Sequence, residues 1–183
     1  MSFEVCLSFS KAFTVDLPSC DKMPFEITKA HAKSNRIRRI QCENGLFLEV
    51  LCDGSVQGVR HKKTDYGVFH LYSVGPNMVV IRNISTGLYL SVEESTISTR
   101  EDFGNCCVFL EILSESYYVY YTPLNKDQDT SLVLVLDSSG KSGLQNLPDG
   151  VSTPGLSGTL FKTLTLPEQE HVHFCVMARS LDS

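Results

Sequence analysis

The chain has 183 residues, 42% hydrophobic and 20% charged, which suits one domain that buries a core without staples. Its 21 acidic against 16 basic side chains leave a formal charge of −5, excluding a globally cationic surface for nucleic acid or an anionic membrane. No apolar run approaches the roughly 20 residues of a membrane span. Seven cysteines at irregular positions (Cys6, Cys20, Cys42, Cys52, Cys106, Cys107 and Cys175) argue against a full disulfide framework and for free thiols used as small core residues.

From the N-terminus, Glu4, Lys11 and Asp16 interrupt Met1–Leu17, so no cleaved secretory leader is expected there. Residues 1–34 read as an N-terminal extension, partly disordered. Lys29, Lys33, Arg36, Arg38 and Arg39 form a basic group, read as a solvated segment rather than a site for acidic partners or nuclear import.

Short apolar runs follow: Ile37–Cys42, Val68–Tyr72, Val79–Ile84, Val108–Leu113, Tyr117–Tyr121 and Leu160–Leu166. Between them one phrase recurs. Gly45-Leu46-Phe47-Leu48-Glu49-Val50 returns 42 positions later as Gly87-Leu88-Tyr89-Leu90-Ser91-Val92, and 44 positions after that as Ser131-Leu132-Val133-Leu134-Val135-Leu136. Each copy runs into a polar turn: Cys52-Asp53-Gly54-Ser55, Glu93-Glu94-Ser95-Thr96 and Asp137-Ser138-Ser139-Gly140. Apolar side chains alternate at Leu46, Leu48, Val50 and at Leu88, Leu90, Val92, the period of half-buried strands. The Asp-Gly and Ser-Gly pairs supply the positive φ of tight hairpins. Three units of four strands with no helical stretch predict an all-β protein, a β-trefoil over residues 35–167, with Leu134 and Leu136 joining the buried set. Asp137–Gly158, rich in Ser, Gly and Pro, reads as surface loop, and residues 168–183 as a C-terminal tail.

No catalytic set is present: no Gly-x-Ser-x-Gly, no phosphate-cradling glycine loop, no His-Glu-x-x-His. His171-x-His173-x-Cys175 on an extended segment would share one face, but three ligands in a tail read as an ordinary polar face, and no metal is expected. Asn83-Ile84-Ser85 is a glycosylation sequon, read as a turn asparagine in a chain without a leader.

Several ordered stretches carry a family resemblance: Cys42-Glu43-Asn44-Gly45-Leu46-Phe47-Leu48, Asp53-Gly54-Ser55-Val56-Gln57-Gly58-Val59-Arg60, Thr86-Gly87-Leu88-Tyr89-Leu90, Cys107-Val108-Phe109-Leu110-Glu111, Tyr118-x-x-Tyr121 and Leu164-Thr165-Leu166-Pro167. Together they cover roughly two-thirds of the chain, and the chain resembles the fibroblast growth factor family. The resemblance implies a monomeric, non-enzymatic ligand without cofactor that binds a receptor tyrosine kinase ectodomain, with heparan sulfate as co-ligand. It implies Arg60, Tyr118, Tyr121 and Leu166 as partner-binding residues. At a spacing of three, however, Tyr118 and Tyr121 leave opposite faces of a regular strand, so only one is expected to be fully exposed. Three positions depart from the family's pattern. Gln41 stands in place of a tyrosine, Val119 in place of the asparagine of Tyr-Asn-x-Tyr, and Ser114 in place of a glutamate, with Glu115 adjacent. The family's basic loop would fall between Leu136 and Leu160, which holds only Lys141, beside Asp137 and Asp149, so weak heparin binding is expected.

Two functions follow from the resemblance. One is a growth factor acting outside the cell after signal-peptide-independent export. The other is a cytoplasmic or nuclear protein similar to the family's homologous factors, which bind sodium-channel tails. Asp65-Tyr66-x-x-Phe69-x-Leu71-x-x-Val74-Gly75 and Tyr117-Tyr118-Val119-x-Tyr121 are similar to that branch.

Overall fold

The computed structural model describes residues 35–61, 64–124, 132–147 and 157–181. The expected N-terminal extension and residues 148–156 of the Ser/Gly/Pro loop lie outside them. Twelve strands form: β1 Asn35–Cys42, β2 Phe47–Val50, β3 Val56–Val59, β4 Phe69–Gly75, β5 Met78–Asn83, β6 Tyr89–Glu93, β7 Thr96–Arg100, β8 Val108–Leu113, β9 Val119–Pro123, β10 Leu132–Leu136, β11 Ser142–Asn146 and β12 Phe161–Thr165. Six of them close into an antiparallel ring, β1 to β4, β4 to β5, β5 to β8, β8 to β9, β9 to β12 and β12 back to β1. The other six pair as the hairpins β2–β3, β6–β7 and β10–β11, each built on one copy of the repeated phrase. A closed six-stranded barrel capped by three hairpins is a β-trefoil, and closure removes most free sheet edges.

The repeats supply the core. Leu48, Val50, Leu90, Leu134 and Leu136 are fully buried, Leu46 and Val92 nearly so, and they pack with Ile40, Phe69, Phe109, Tyr121 and Phe161. Leu88 is half-buried against the same cluster. Cys42, Cys106 and Cys107 are buried free thiols, and burial pushes Cys107 up to about 12.

The hairpin turns repeat too. In the first, Asp53 Oδ1 accepts from the Ser55 amide at 2.9 Å; in the third, Asp137 Oδ1 accepts from the Ser139 amide at 2.8 Å. The serine hydroxyls donate to the same oxygens, and these bonds hold both carboxyls below the usual aspartate range. Gly140, at φ +92°, allows the third turn to lie on β3: an added β-carbon would stand 2.4 Å from the Gly58 carbonyl oxygen. The second turn has no glycine and places Glu94 and Ser95 at φ 48° and 61° instead.

Two expectations are corrected. Residues 168–181 are a helix, α1 (Glu168–Leu181), rather than a tail. Its apolar residues Val172, Phe174, Cys175, Val176, Met177 and Ala178 are nearly consecutive and show no helical spacing, and docking supplies the stability that propensity does not. Glu168 and Glu170 in its first turn oppose the positive helix terminus. Lys29 and Lys33 of the basic group lie outside the described residues, and its three arginines are not a solvated segment. Arg36, Arg38 and Arg39 lie on β1, where Arg39 is buried and Arg36 half-buried. No described helix is long and apolar enough to cross a membrane.

Strand alternation likewise missed Glu49, which is 3% exposed because the turn Asp65–Gly67 covers the second face of β2. The Thr64 hydroxyl donates to its carboxylate. Burial nevertheless raises the Glu49 carboxyl above its ordinary value of 4.5, outweighing the Gln57 hydrogen bond and the Arg39 charge. The folded chain therefore holds this proton to higher pH than the unfolded chain does. Its contribution to stability is best below pH 4.5 and falls as pH rises through the folded value. Glu49→Gln should flatten that decline in urea titrations run across a pH series; an unchanged pH profile would contradict the assignment.

Candidate protein-binding face

The candidate site builds from the β8–β9 hairpin and the end of β12. In that hairpin the Ser114 amide donates to the Tyr118 carbonyl at 2.7 Å and the Tyr117 amide to the Ser114 carbonyl at 3.1 Å. The tight turn forces Tyr117 to φ 63°, an uncommon conformation for an aromatic residue, and leaves it 87% exposed. Leu113, at the end of β8, is 65% exposed. Ser114 is buried and bonded to Ser116, while Glu115 points to solvent. Phe161 pairs with Val119, which joins this hairpin to the strand leading to Leu166.

The four predicted site residues separate. Arg60 is exposed after β3, with β2 and β1 between β3 and β12 in strand order. Tyr118 is half-buried immediately before β9. Tyr121 is fully buried: its ring packs against Phe161 and its hydroxyl donates to Glu111 Oε1 at 3.1 Å. Leu166 is buried under Phe174 and Ala178 of α1, with Ile37, Val68 and Ile84 around it. Tyr118 lies just before β9 and Tyr121 within it; neither is fully exposed, and the inward one is Tyr121. Sequence reasoning missed Tyr117 and Leu113; an aromatic residue in a Ser-Glu-Ser turn was the available signal.

Tyr121 belongs to a structural network. Arg36 Nη2 donates to Glu111 Oε2 at 2.7 Å, so one carboxylate ties β1, β8 and β9. Burial first, then the Glu111 charge, pushes the Tyr121 phenol well above its ordinary value. The departures also have plain structural roles. Gln41 Nε2 donates to the Gly45 carbonyl at 3.2 Å, and Val119 packs against the core.

The remaining motifs resolve by geometry. Asn83 is fully buried; its Nδ2 donates to the Tyr66 carbonyl at 2.6 Å, and its Oδ1 accepts from the Ser85 and Thr86 amides. A glycan on that nitrogen is incompatible with the fold, so the turn reading of the sequon holds. On a helix, His171 and Cys175 share a face, with ring nitrogens 3.6 and 3.9 Å from Sγ, while exposed His173 turns away against the Phe174 ring. The shared extended face expected for the three residues does not exist. Among the described residues no cluster of three or more ligand types could hold a metal. Lys141 is exposed at the third hairpin turn, where its backbone amide donates to Asp137 Oδ1 at 2.9 Å.

This geometry separates scaffold from surface. Tyr121→Ala should destabilise the fold by about 3–5 kcal/mol, the cost of deleting a buried ring. Tyr117→Ala should change stability by less than about 0.5 kcal/mol, as exposed substitutions do, or raise it by relieving the turn. Equal losses in chemical denaturation would contradict the assignment.

The sequence pattern described as fibroblast growth factor matches residues 36–146, spanning β1 to β11. A protein of Danio rerio described as putative fibroblast growth factor 1 is 36% identical over 93 residues, covering 47% of this chain and 59% of the relative. Fibroblast growth factor 1 of Cynops pyrrhogaster is 31% identical over 97 residues, covering 51% of this chain and 66% of the relative. The match therefore spans less than two thirds of either relative. Repeat, barrel and family pattern coincide on the same residues, and the chain belongs to the fibroblast growth factor family.

Proposed function

We propose that this protein is a non-enzymatic growth factor that acts outside the cell by binding the ectodomain of a receptor tyrosine kinase of the fibroblast growth factor receptor class. The observation that carries this reading is the apolar tip of the β8–β9 hairpin, with Tyr117 at 87% and Leu113 at 65% exposure beside Tyr118, on a trefoil of this family. Large aromatic side chains held rigidly at a surface are the usual anchors of protein interfaces, and exposed Arg60 adds a directed cation elsewhere on the barrel. Heparan sulfate contributes weakly. In the described part of the loop after Leu136, Lys141 sits on a turn whose Asp137 carboxylate is held ionised, a poor setting for clustered sulfates.

One observation favours a second reading, an intracellular protein that binds a sodium-channel tail. Val119 packs into the core and offers no side-chain donor or acceptor to a receptor.

Binding of the full chain to immobilised receptor ectodomains, with and without heparin, tests the proposal. Tyr117→Ala or Tyr118→Ala should cost about 2 kcal/mol or more of binding if either is an anchor. Val119→Asn should improve receptor affinity, and the chain should leave a heparin column at low salt. Secretion into the medium of expressing animal cells is the matching expectation. A chain that binds no receptor but captures a sodium-channel tail would establish the second reading instead.

A further inference from the structure

The described cysteines are free thiols in different surroundings. Cys42, Cys106 and Cys107 are closed off in the interior, at 1% exposure or less. Cys52 is exposed on the first hairpin turn, where its thiol donates to the Tyr66 hydroxyl at 3.3 Å. A phenol is neutral at pH 7 and takes no proton from a thiol.

Among the described thiols, Cys175 is the one both open to solvent and next to a base. It is half-buried on α1, and His171 stands one turn before it on the same face. Its Sγ lies 3.6 Å from His171 Nδ1 and 3.9 Å from Nε2. A neutral imidazole carries a proton on one nitrogen and a lone pair on the other. With both nitrogens near the sulfur, either tautomer presents an acceptor to the thiol. The pair is also held in place. The His171 amide donates to the Pro167 carbonyl at 2.8 Å, and Cys175 packs against the cluster that contains Ile37, Val68, Ile84 and Leu166.

We propose that Cys175 is a thiol-modification site activated by His171, and that its reactant is a small-molecule disulfide of the glutathione type. His171 accepts the Cys175 proton, and the thiolate attacks one sulfur of the disulfide. A bond forms between that sulfur and Cys175 Sγ as the old S–S bond breaks. The leaving thiolate departs with the electron pair and takes the proton from the imidazolium. Cys175 is oxidised and the departing half of the disulfide is reduced, so no further oxidant enters. A free thiol is only a few per cent ionised at neutral pH, so complete proton transfer would raise the attacking thiolate roughly thirtyfold. The lower nucleophilicity that accompanies easier ionisation takes back part of this and leaves about tenfold. The site does not depend on which partner the barrel binds.

The test exposes the reduced full chain to excess oxidised glutathione at neutral pH, and peptide mapping by mass spectrometry reads the initial rate of adduct formation at each cysteine. Cys175 should react about tenfold faster than Cys52, although exposure alone would order them the other way. His171→Gln should slow Cys175 about tenfold and leave Cys52 unchanged. Loosening of α1 would uncover Cys175 and speed its reaction, so a loss of structure cannot mimic the expected slowing. Faster modification of Cys52 than of Cys175 in the unaltered chain would overturn the proposal. So would a Cys175 rate that His171→Gln leaves unchanged or raises, which would reduce the pair to an ordinary contact between neighbours on a helix. The comparison with Cys52 needs only the unaltered chain, so it decides the proposal even if His171→Gln fails to fold.

Discussion

Strand β1 pairs with β4 through Asn35–Arg38 and with β12 through Arg38–Cys42, so the barrel closes only while one eight-residue segment satisfies two neighbours. Everything at the candidate face hangs from that closure. β12 delivers Leu166 to the end of the barrel and pairs with β9, which begins at the β8–β9 turn. A strand that serves two partners must also choose its faces with care. Ile40 and Cys42 enter the central core, Ile37 the cluster beneath α1, and the arginines take the places left between them.

Those arginines explain how a polar strand tolerates burial. A buried guanidinium without partners would cost more than folding can offset. Arg39 is held by the Thr64 carbonyl and by Glu170, and Arg36 by Glu111, whose second oxygen accepts from Tyr121. Each pair joins segments far apart in the chain, Arg39 to Glu170 across 131 positions and Arg36 to Glu111 across 75. Ion pairs of this sort add less to net stability than their geometry suggests, because desolvation consumes much of the attraction. Removing Glu170, in contrast, would leave the Arg39 guanidinium, 5% exposed, with the Thr64 carbonyl and no counter-charge from α1. The arginines thus fix which segments may close the barrel more than they strengthen it.

The same logic separates the tyrosines. Tyr121 gives its hydroxyl to a carboxylate and its ring to Phe161, so its chemistry is spent inside the protein. Tyr117 is held outward by its own backbone at positive φ, and Tyr118 stands between the two environments. A family pattern records residue types at positions and does not say whether a side chain is free for a partner. Leu166 shows this again: its type suits an interface, yet in this chain a helix has been laid over it.

The sequence by itself determined the trefoil. The phrase at Gly45, Gly87 and Ser131 repeats at a nearly constant period, and leucines at alternate positions must face one way along a strand. Asp53 and Asp137 announced their turns for an equally local reason, since an aspartate can bond the amide two residues on. What the sequence left open depends on distant neighbours. Glu49 looks like an outward strand residue until the Asp65–Gly67 turn covers it, and Arg39 looks solvated until Thr64 and Glu170 arrive from far along the chain. Helix α1 was illegible because Val172, Phe174, Cys175, Val176, Met177 and Ala178 crowd nearly consecutive positions, so no helical spacing stands out in the sequence. It becomes a helix when Ile37, Val68, Ile84 and Leu166 offer it a surface, and that surface exists only after β1, β4, β5 and β12 have closed the barrel.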